Sequence, residues 1–428
     1  MMKIFIFCQQ LEYMGGIERV VLEQLRIFSE CGVSVELLLE RKLSLMSQKV
    51  TCPWTVLPDE TNVRQTMLKE LFLAKKPDLI IFHGVSHSNG AYDAKIAAEC
   101  GVRSVCVVHF SFLSNLALEG GVYSSWQDFI TKGRPCVAFA TVSAIDAVFW
   151  RALGKKAFHV QNPFVHPSER VVKIRRDGED GAANLIWVGR LCEPKQPRSA
   201  LDVFARAVCV CPRIQLTMVG GDVAGIRNLK KYARRLGILA KVKFVPESPD
   251  IDEYWAKADI HLLTSVCESF CLVWAEAKAA GIPTVMFELP YLELAADKRG
   301  YIAVEQRNVE ALADAIVDLV RDVKKRQKMG REAQESLAPF NDEAVWQSWM
   351  RLFDGLDDPK AGTEVDSDLK TIVSQIYVAT CYDKAVHRWP EEMADDWHRL
   401  TRTSMRHVAN LLHRMVVAGR WLKVKVFG

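Results

Sequence analysis

Residues 264–285, TSVCESFCLVWAEAKAAGIPTV, set two glutamates eight positions apart in a run of small and apolar residues. An apolar strand, HLLTS, leads into the stretch, and its middle has helical spacing that stops at Gly281-Ile282-Pro283 before a second apolar strand, TVMFE. A glycine at the end of the periodic run and a proline just beyond it are ordinary helix stops. A strand, a helix and a strand in this order make a parallel crossover unit. Glu268 stands at the strand-to-helix turn and Glu276 falls inside the helix. Carboxylates are costly to bury unpaired, so one reading points both into water. The other gives them a ligand with hydroxyl groups to grip.

The same alternation runs outward from this unit through most of the chain. A first series of strands is expected at KIFIFC (3–8), VSVELLL (33–39), DLIIFHG (78–84), SVCVVH (104–109), CVAFATVS (136–143) and AFHVQN (157–162). A second follows at NLIWVG (184–189), IQLTMVGG (214–221), VKFVP (242–246), IHLLTS (260–265), TVMFE (284–288) and YIAV (301–304). Stretches such as IERVVLEQLRIFSECG (17–32) between them carry apolar residues at helical spacing and end on glycine. VHPSERVVKIRRDGEDGAAN (165–184), polar and charged, reads as an interdomain linker. A chain of 428 residues is too long for one core. The expected architecture is α/β, with two doubly wound, Rossmann-like domains over 1–165 and 183–340 and a helical extension over 341–428. Such sheets bind ligands beyond the carboxyl ends of their strands, so two of them facing each other would form a cleft for chemistry.

Composition narrows the function. A formal net charge of +4 is small for this length and argues against a general nucleic-acid binder. The opening MMKIFIFCQQLEYMGG has an apolar run of only five residues and no small-residue cleavage site, so no secretory signal is expected. No stretch is long enough to span a bilayer. Twelve cysteines without export suggest reduced thiols and a cytoplasmic location. They form no C-x-x-C pair, which favours buried packing over metal binding. Asp250-Ile251-Asp252 and Asp366-Ser367-Asp368 lie in polar linkers, and no metal is expected.

Three motifs fall at strand ends. Gly15 and Gly16 follow KIFIFC and open a helix, where small residues let the backbone approach an anion. The pattern is not G-x-G-x-x-G, so a nicotinamide fingerprint is absent. Arg190 and Lys195 follow NLIWV, and could clamp a diphosphate or be two solvated cations. At the third, the amides of Ser269, Phe270, Cys271 and Leu272 would lie at a helix start, able to hold phosphate or sugar oxygens. Glu276 could accept from the vicinal hydroxyls of a ribose. Glu268 could do the same for a sugar, or face positive charge developing at its reacting carbon.

In these motifs the chain resembles the retaining glycosyltransferases of family 4, which have the two-domain GT-B fold. The matches are GGIER (15–19), Gly189-Arg190-Leu191 with Lys195, and Glu268 with Glu276 followed by AKAAGIPTV; ATVSA (140–144) and VQNPF (160–164) match more weakly. They cover roughly residues 1–350 in order. The resemblance implies that Arg190 and Lys195 hold the donor diphosphate and take up the charge of the leaving group. It implies that Gly15 and Gly16 let the first domain close over those phosphates, that Glu276 binds the donor ribose, and that Glu268 lies near the transferred sugar. His109, ending SVCVVH, matches a position facing that sugar, and the base would lie near Val245 and Pro246. The chain departs from the family where ESFC replaces E-G-F-G, and where ELPYLE (288–293) replaces G-G-x-P-E, which puts the choice of sugar in doubt.

The implied activity moves a sugar from a nucleoside-diphosphate-sugar to a glycan or lipid-linked acceptor, with retention and without a metal, in cell-surface polysaccharide or glycolipid synthesis. A non-catalytic sugar-nucleotide-binding subunit, a sugar-nucleotide epimerase or a phosphorylase would share the fold. The acceptor is expected near HFSFLSNLALEGGVYSSWQDFI (109–130). DEAVWQSWMRLFD (342–354) is expected to cross back to the first domain. From Arg399 onward the chain carries Arg402, Arg406, Arg414, Arg420, Lys423 and Lys425 among apolar residues and no acid. Such a helix could lie on the anionic inner face of a membrane or pack on the protein body.

Overall fold

A computed structural model describes residues 2–11, 15–41, 50–84, 89–111, 133–164, 183–248, 251–365 and 367. The chain divides into two units, one made of 1–163 with 342–428 and the other of 164–341. The polar linker, most of the expected acceptor segment and the basic tail from Arg399 lie outside the described residues.

The first unit is built on a parallel sheet of seven strands: β1 (Lys3–Cys8), β2 (Ser34–Leu39), β3 (Trp54–Val56), β4 (Leu79–His83), β5 (Arg103–Val108), β6 (Ala138–Thr141) and β7 (Ala157–His159). Their spatial order is β3-β2-β1-β4-β5-β6-β7, and every pairing is parallel. Sequence order therefore reverses between β1 and β4, where Cys8 is in register with His83. Helices α1 (Gly16–Glu30), α2 (Thr61–Lys75), α3 (Gly90–Glu99) and α4 (Ala144–Ala152) connect the strands. Strands flanked by helices read as continuous apolar runs, and Ile4 to Phe7 and Leu79 to Phe82 are fully or almost fully buried. Trp150 of α4 anchors the core edge-to-face on Phe139 and Phe149, at 5.0 and 5.4 Å.

The second unit holds six parallel strands: β8 (Asn184–Val188), β9 (Gln215–Val219), β10 (Val242–Val245), β11 (Ile260–Leu263), β12 (Thr284–Phe287) and β13 (Tyr301–Val304). Their order is β10-β9-β8-β11-β12-β13, with the reversal between β8 and β11. The helices are α5 (Pro197–Val210), α6 (Val223–Arg235), the short α7 (Asp252–Trp255), α8 (Leu272–Ala279), α9 (Val309–Arg321) and α10 (Val323–Glu335). The expected two Rossmann-like sheets are thus both present, each in the doubly wound order whose switch point makes a ligand crevice.

Helix α11 (Asp342–Gly355) belongs to the first unit. Its Trp346, Trp349 and Phe353 surround the ring of Phe28 on α1 at 5.7, 5.5 and 6.1 Å, and Arg26 donates to Asp342 at 2.9 Å. No helix among the described residues is long and apolar enough to cross a membrane. The sequence reading missed β3, whose three residues include a half-exposed Trp54 on the sheet edge. It also ran several strands one to three residues too far. The overrun residues, such as Gly189, Gly220-Gly221 and Thr264-Ser265, leave the ladder to enter the loops that carry the motifs.

Candidate functional site

The switch point of the second sheet gathers two of the motifs. β8 and β11 lie side by side, so the loop Gly189–Gln196 and the turn Thr264–Cys271 leave the sheet as neighbours. Hydrogen bonds stitch them together. Trp187 Nε1 donates to Thr264 Oγ1 at 3.0 Å, and that hydroxyl faces the carbonyls of Lys195 and Gln196 at 2.9 and 3.1 Å. The Val266 amide donates to the Pro194 carbonyl at 2.9 Å. The glycines of this corner have a steric reason. Gly220, at φ +126°, lies so close to the Gly189 carbonyl that a Cβ would enter it. Only glycine lets the backbones leaving β8 and β9 run this close.

Lys195 Nζ meets Glu268 Oε1 at 2.5 Å, and Ser265 Oγ donates to the same oxygen at 2.6 Å. The pair is largely enclosed, with side chains 18% and 9% exposed. Burial works to lower the Lys195 pKa, but Glu268 outweighs it and the ammonium is held above its ordinary value. Arg190 is exposed, has no ion pair among the described residues, and repels the Lys195 charge. Tyr291 fixes the backbone of Glu268 from the ELPYLE loop. Its hydroxyl accepts from the Glu268 amide at 3.0 Å and donates to the Glu268 carbonyl at 3.2 Å. Gln306 ties the same corner, donating to the carbonyls of Ser265 and Glu288 at 3.3 and 2.9 Å.

Neither glutamate of the opening stretch points into water. Glu268 is paired as described, and Glu276, on α8, is 2% exposed. Between them Cys271 caps α8 in the left-handed conformation, φ 72° and ψ 69°, a region that favours glycine. Its buried thiol is pushed well above its ordinary pKa, first by burial and then by Glu268, so it stays protonated. Ser269 and Phe270 form the turn before the cap, with Phe270 buried against Phe340 at 6.0 Å, and Leu272 begins the helix. Val245 ends β10 with 9% exposure, and its carbonyl accepts from Gly220 at 3.0 Å.

In the first unit, Gly15 is the N-cap of α1 and Gly16 its first residue. A Cβ on Gly15 would strike Oε2 of Glu18, so this carboxylate folds back over the helix start. A helix N-terminus favours negative charge, and here the chain supplies its own. His83 ends β4 and His109 follows β5. Their rings stack at 5.0 Å with Nδ1 of His83 2.9 Å from Nε2 of His109, while Nε2 of His83 lies 2.7 Å from Gln24 Oε1. Burial lowers both pKa values, that of His109 to about 4.

The structure brings Arg190, Lys195, Glu268, Ser269, Phe270, Cys271, Leu272 and Glu276 to one corner of the second unit, with Val245 at the end of its β10. Gly15, Gly16 and His109 lie at the switch-point end of the first sheet. Ser265, Tyr291 and Gln306, and likewise Gln24 and His83, were not singled out by sequence. Ser265 and Tyr291 lie inside stretches the sequence reading quoted, but their roles, like those of Gln306, Gln24 and His83, come from strand order.

The fold and this corner define a two-domain α/β protein of the GT-B type with a cationic strand-end loop facing a carboxylate turn, and residues 173–336 match the model of the family described as Glycosyl transferases group 1. Among relatives, an uncharacterised glycosyltransferase of Haemophilus influenzae is 22% identical over 370 residues, which cover 82% of this chain and all of that protein. An exopolysaccharide phosphotransferase of Streptomyces coelicolor is 31% identical over 187 residues, 42% of this chain; the chain spans only 20% of that longer protein. Among solved structures, HepE of Anabaena in complex with UDP and glucose superposes with a TM-score of 0.69 at 18% identity, covering 83% of this chain and all of that one.

Proposed function

We propose that the chain is a retaining glycosyltransferase of family 4 that transfers a hexose from a nucleoside-diphosphate-sugar to a glycan or lipid-linked acceptor in cell-surface polysaccharide or glycolipid synthesis. The observation that carries this reading is the pairing of the Arg190/Lys195 loop with the Glu268 turn at the switch point of a doubly wound sheet. The match to a glycosyl transferase family over the second unit supports it.

The chemical problem in glycosyl transfer is departure of a nucleoside diphosphate from a carbon that becomes oxocarbenium-like. Fixed cations aimed at the phosphates stabilise the charge growing there without reorganising water. Arg190, without an acidic partner among the described residues, and Lys195 repel each other, so a diphosphate between them would relieve that repulsion. Glu268 holds Lys195 in place before the donor arrives and would face the sugar once the ammonium turns to the phosphate. Glu276 would take the ribose, the turn Ser269–Leu272 the phosphate oxygens, Val245 the base, and Gly15 and Gly16 the far side of the diphosphate. The acceptor hydroxyl would attack on the face the phosphate leaves, with His109 against the sugar. Metal independence accompanies this reading, because side-chain cations take the role of the ion. A peripheral membrane contact through 399–428 would suit a lipid-linked acceptor on the cytoplasmic side.

The test is transfer from UDP-hexoses, since HepE has been solved in complex with UDP-glucose, followed by Arg190→Ala and Lys195→Ala. Each should lower turnover about 10²–10³-fold with the fold intact, and near-normal turnover would refute the clamp. Glu276→Ala should chiefly weaken calorimetric binding of UDP itself; unchanged affinity would refute the ribose assignment.

A further inference from the structure

One edge of the second unit carries far more positive charge than the chain as a whole. From Arg198 to Lys243 the sequence has ten lysines and arginines against two aspartates, a net +8 where all 428 residues sum to +4. This stretch comprises α5, β9, α6 and the start of β10, which is the edge strand of its sheet. Helix α6 concentrates the charge. Arg227, Lys230, Lys231, Arg234 and Arg235 are all exposed, and none has an ion pair among the described residues. At 3.6 residues per turn they fall within about 140° of the circumference, turned away from the buried Ile226, Leu229 and Ala233. Val223, 68% exposed, falls in the same arc.

A solvated helix face ordinarily interleaves both signs, as α10 does with Lys328 paired to Glu332 at 3.7 Å. On α6 like charges instead stand four apart, Arg227 with Lys231, Lys230 with Arg234 and Lys231 with Arg235, where they repel. The helix dipole favours the two arginines in the last turn, and a lysine on β10 blunts a sheet edge. Neither reason covers Arg227, Lys230 and Lys231. We propose that this face of α6, with the exposed Lys241 and Lys243 on the segment packed against it, is a docking surface for an anionic lipid bilayer. Long cations along one helix face match such a surface, which would relieve their mutual repulsion. A nucleic acid fits less well. The face is convex, it includes an exposed aliphatic side chain, and it offers no ring for bases to stack on. The aromatic of α6, Tyr232, is half-buried, its hydroxyl donating to Asp202 at 2.7 Å and its ring centre 5.4 Å from the Arg198 guanidinium.

Vesicle binding is read without any donor sugar, so the outcome is independent of the proposed transfer. The full chain is sedimented with vesicles of phosphatidylcholine containing about 30% phosphatidylglycerol, and with phosphatidylcholine alone. Retention should require the anionic lipid and fall as salt rises from about 0.05 to 0.3 M. The triple variant Arg227→Gln, Lys231→Gln and Arg234→Gln keeps helix propensity and should weaken binding roughly 100-fold, about fivefold per charge. Lys324→Gln, Lys328→Gln and Arg331→Gln on α10 remove the same charge and should leave most of the binding. Equal losses from the two triples would reveal a diffuse net-charge effect and overturn the proposal. Unchanged binding by the α6 triple, or equal retention on phosphatidylcholine alone, overturns it as well. Capture of a DNA duplex that the α6 triple abolishes, with no retention on anionic vesicles, would make the partner a nucleic acid and likewise overturn it.

Discussion

Lys278 is a cation that the second unit buries without an acidic partner in contact among the described residues, and its ionisation should be visible in the stability of the fold. The side chain is 1% exposed on α8. Its ammonium donates to Ser336 Oγ at 2.7 Å and to the Arg299 carbonyl at 3.1 Å, and it lies 5.2 and 5.6 Å from the ring centres of Trp274 and Tyr301. Burial is the main cause that lowers its pKa from 10.5 to about 8; Asp297 opposes the shift and Arg299 adds to it. At about 1.4 kcal/mol per pH unit, the interval from 10.5 to about 8 corresponds to about 3 kcal/mol. Between those pH values the native side chain is neutral while the unfolded one is protonated. The unfolded state then binds more protons, so this group makes the protein more stable as pH rises through the window. Below about 8 both states carry the charge and the full penalty is present.

Lys278→Met removes the titration. Near pH 7 the variant escapes the penalty but loses two hydrogen bonds worth about 1 kcal/mol each and the contact with two aromatic faces, so its net stability there should change little. The informative quantity is the difference between wild type and variant in urea unfolding, followed from about pH 7 to about pH 10.5 in a reducing buffer. Other titrating groups largely cancel in that difference. Tyr301 is held above its ordinary value by burial and Asp297, which keeps it neutral over most of the range. The difference should move by about 3 kcal/mol in favour of the wild type as pH rises. A difference that stays flat would show that Lys278 is solvated in the native state and that the reasoning from burial is wrong.

Two further outcomes bear on the framework of the site. Gly220→Ala should destabilise the second unit by more than about 1 kcal/mol, because the new methyl meets the Gly189 carbonyl at a positive φ; an unchanged urea midpoint would contradict the close approach of these backbones. His261 is fully buried beside Thr284, and burial, aided by Lys195, lowers its pKa to about 3. Its neutral form is bound in the native state while the unfolded form charges below 6.5, so stability should fall as pH drops through that interval. His261→Gln should flatten the acid limb of the stability profile, and an identical limb would refute the assignment.

How much of this was legible beforehand depends on where the information sits. Short apolar runs between helical patterns announce strands, and twelve of the thirteen described strands follow from that signal. β3 was missed because three residues with an exposed tryptophan carry no such pattern. The switch-point corner was half legible. Arg190, Lys195, Glu268 and Glu276 stand in local motifs, whereas Tyr291, Gln306 and Ser265 acquire meaning only when β11, β12 and β13 lie in order beside β8. The His83–His109 contact is likewise made by strand order, since β4 and β5 are neighbours and their ends align.

The two places where the chain departs from the family pattern show why residue identity and physical role must be kept apart. Cys271 stands where a glycine is usual, and its backbone still adopts the left-handed conformation that explains the glycine. Such a conformation disfavours a side chain by roughly 1–2 kcal/mol, so the surrounding contacts must hold it. They are present: the thiol is 5% exposed and hydrogen-bonded within the Lys195–Glu268 group. In ELPYLE the flexible glycines are missing, yet the same segment grips Glu268 through both its amide and its carbonyl by way of the Tyr291 hydroxyl. Where the pattern has glycine backbone, a side chain here fixes the carboxylate turn. The corner keeps its charges where the pattern has them, and under the proposed activity the choice of donor sugar would bear on a turn fixed by Tyr291.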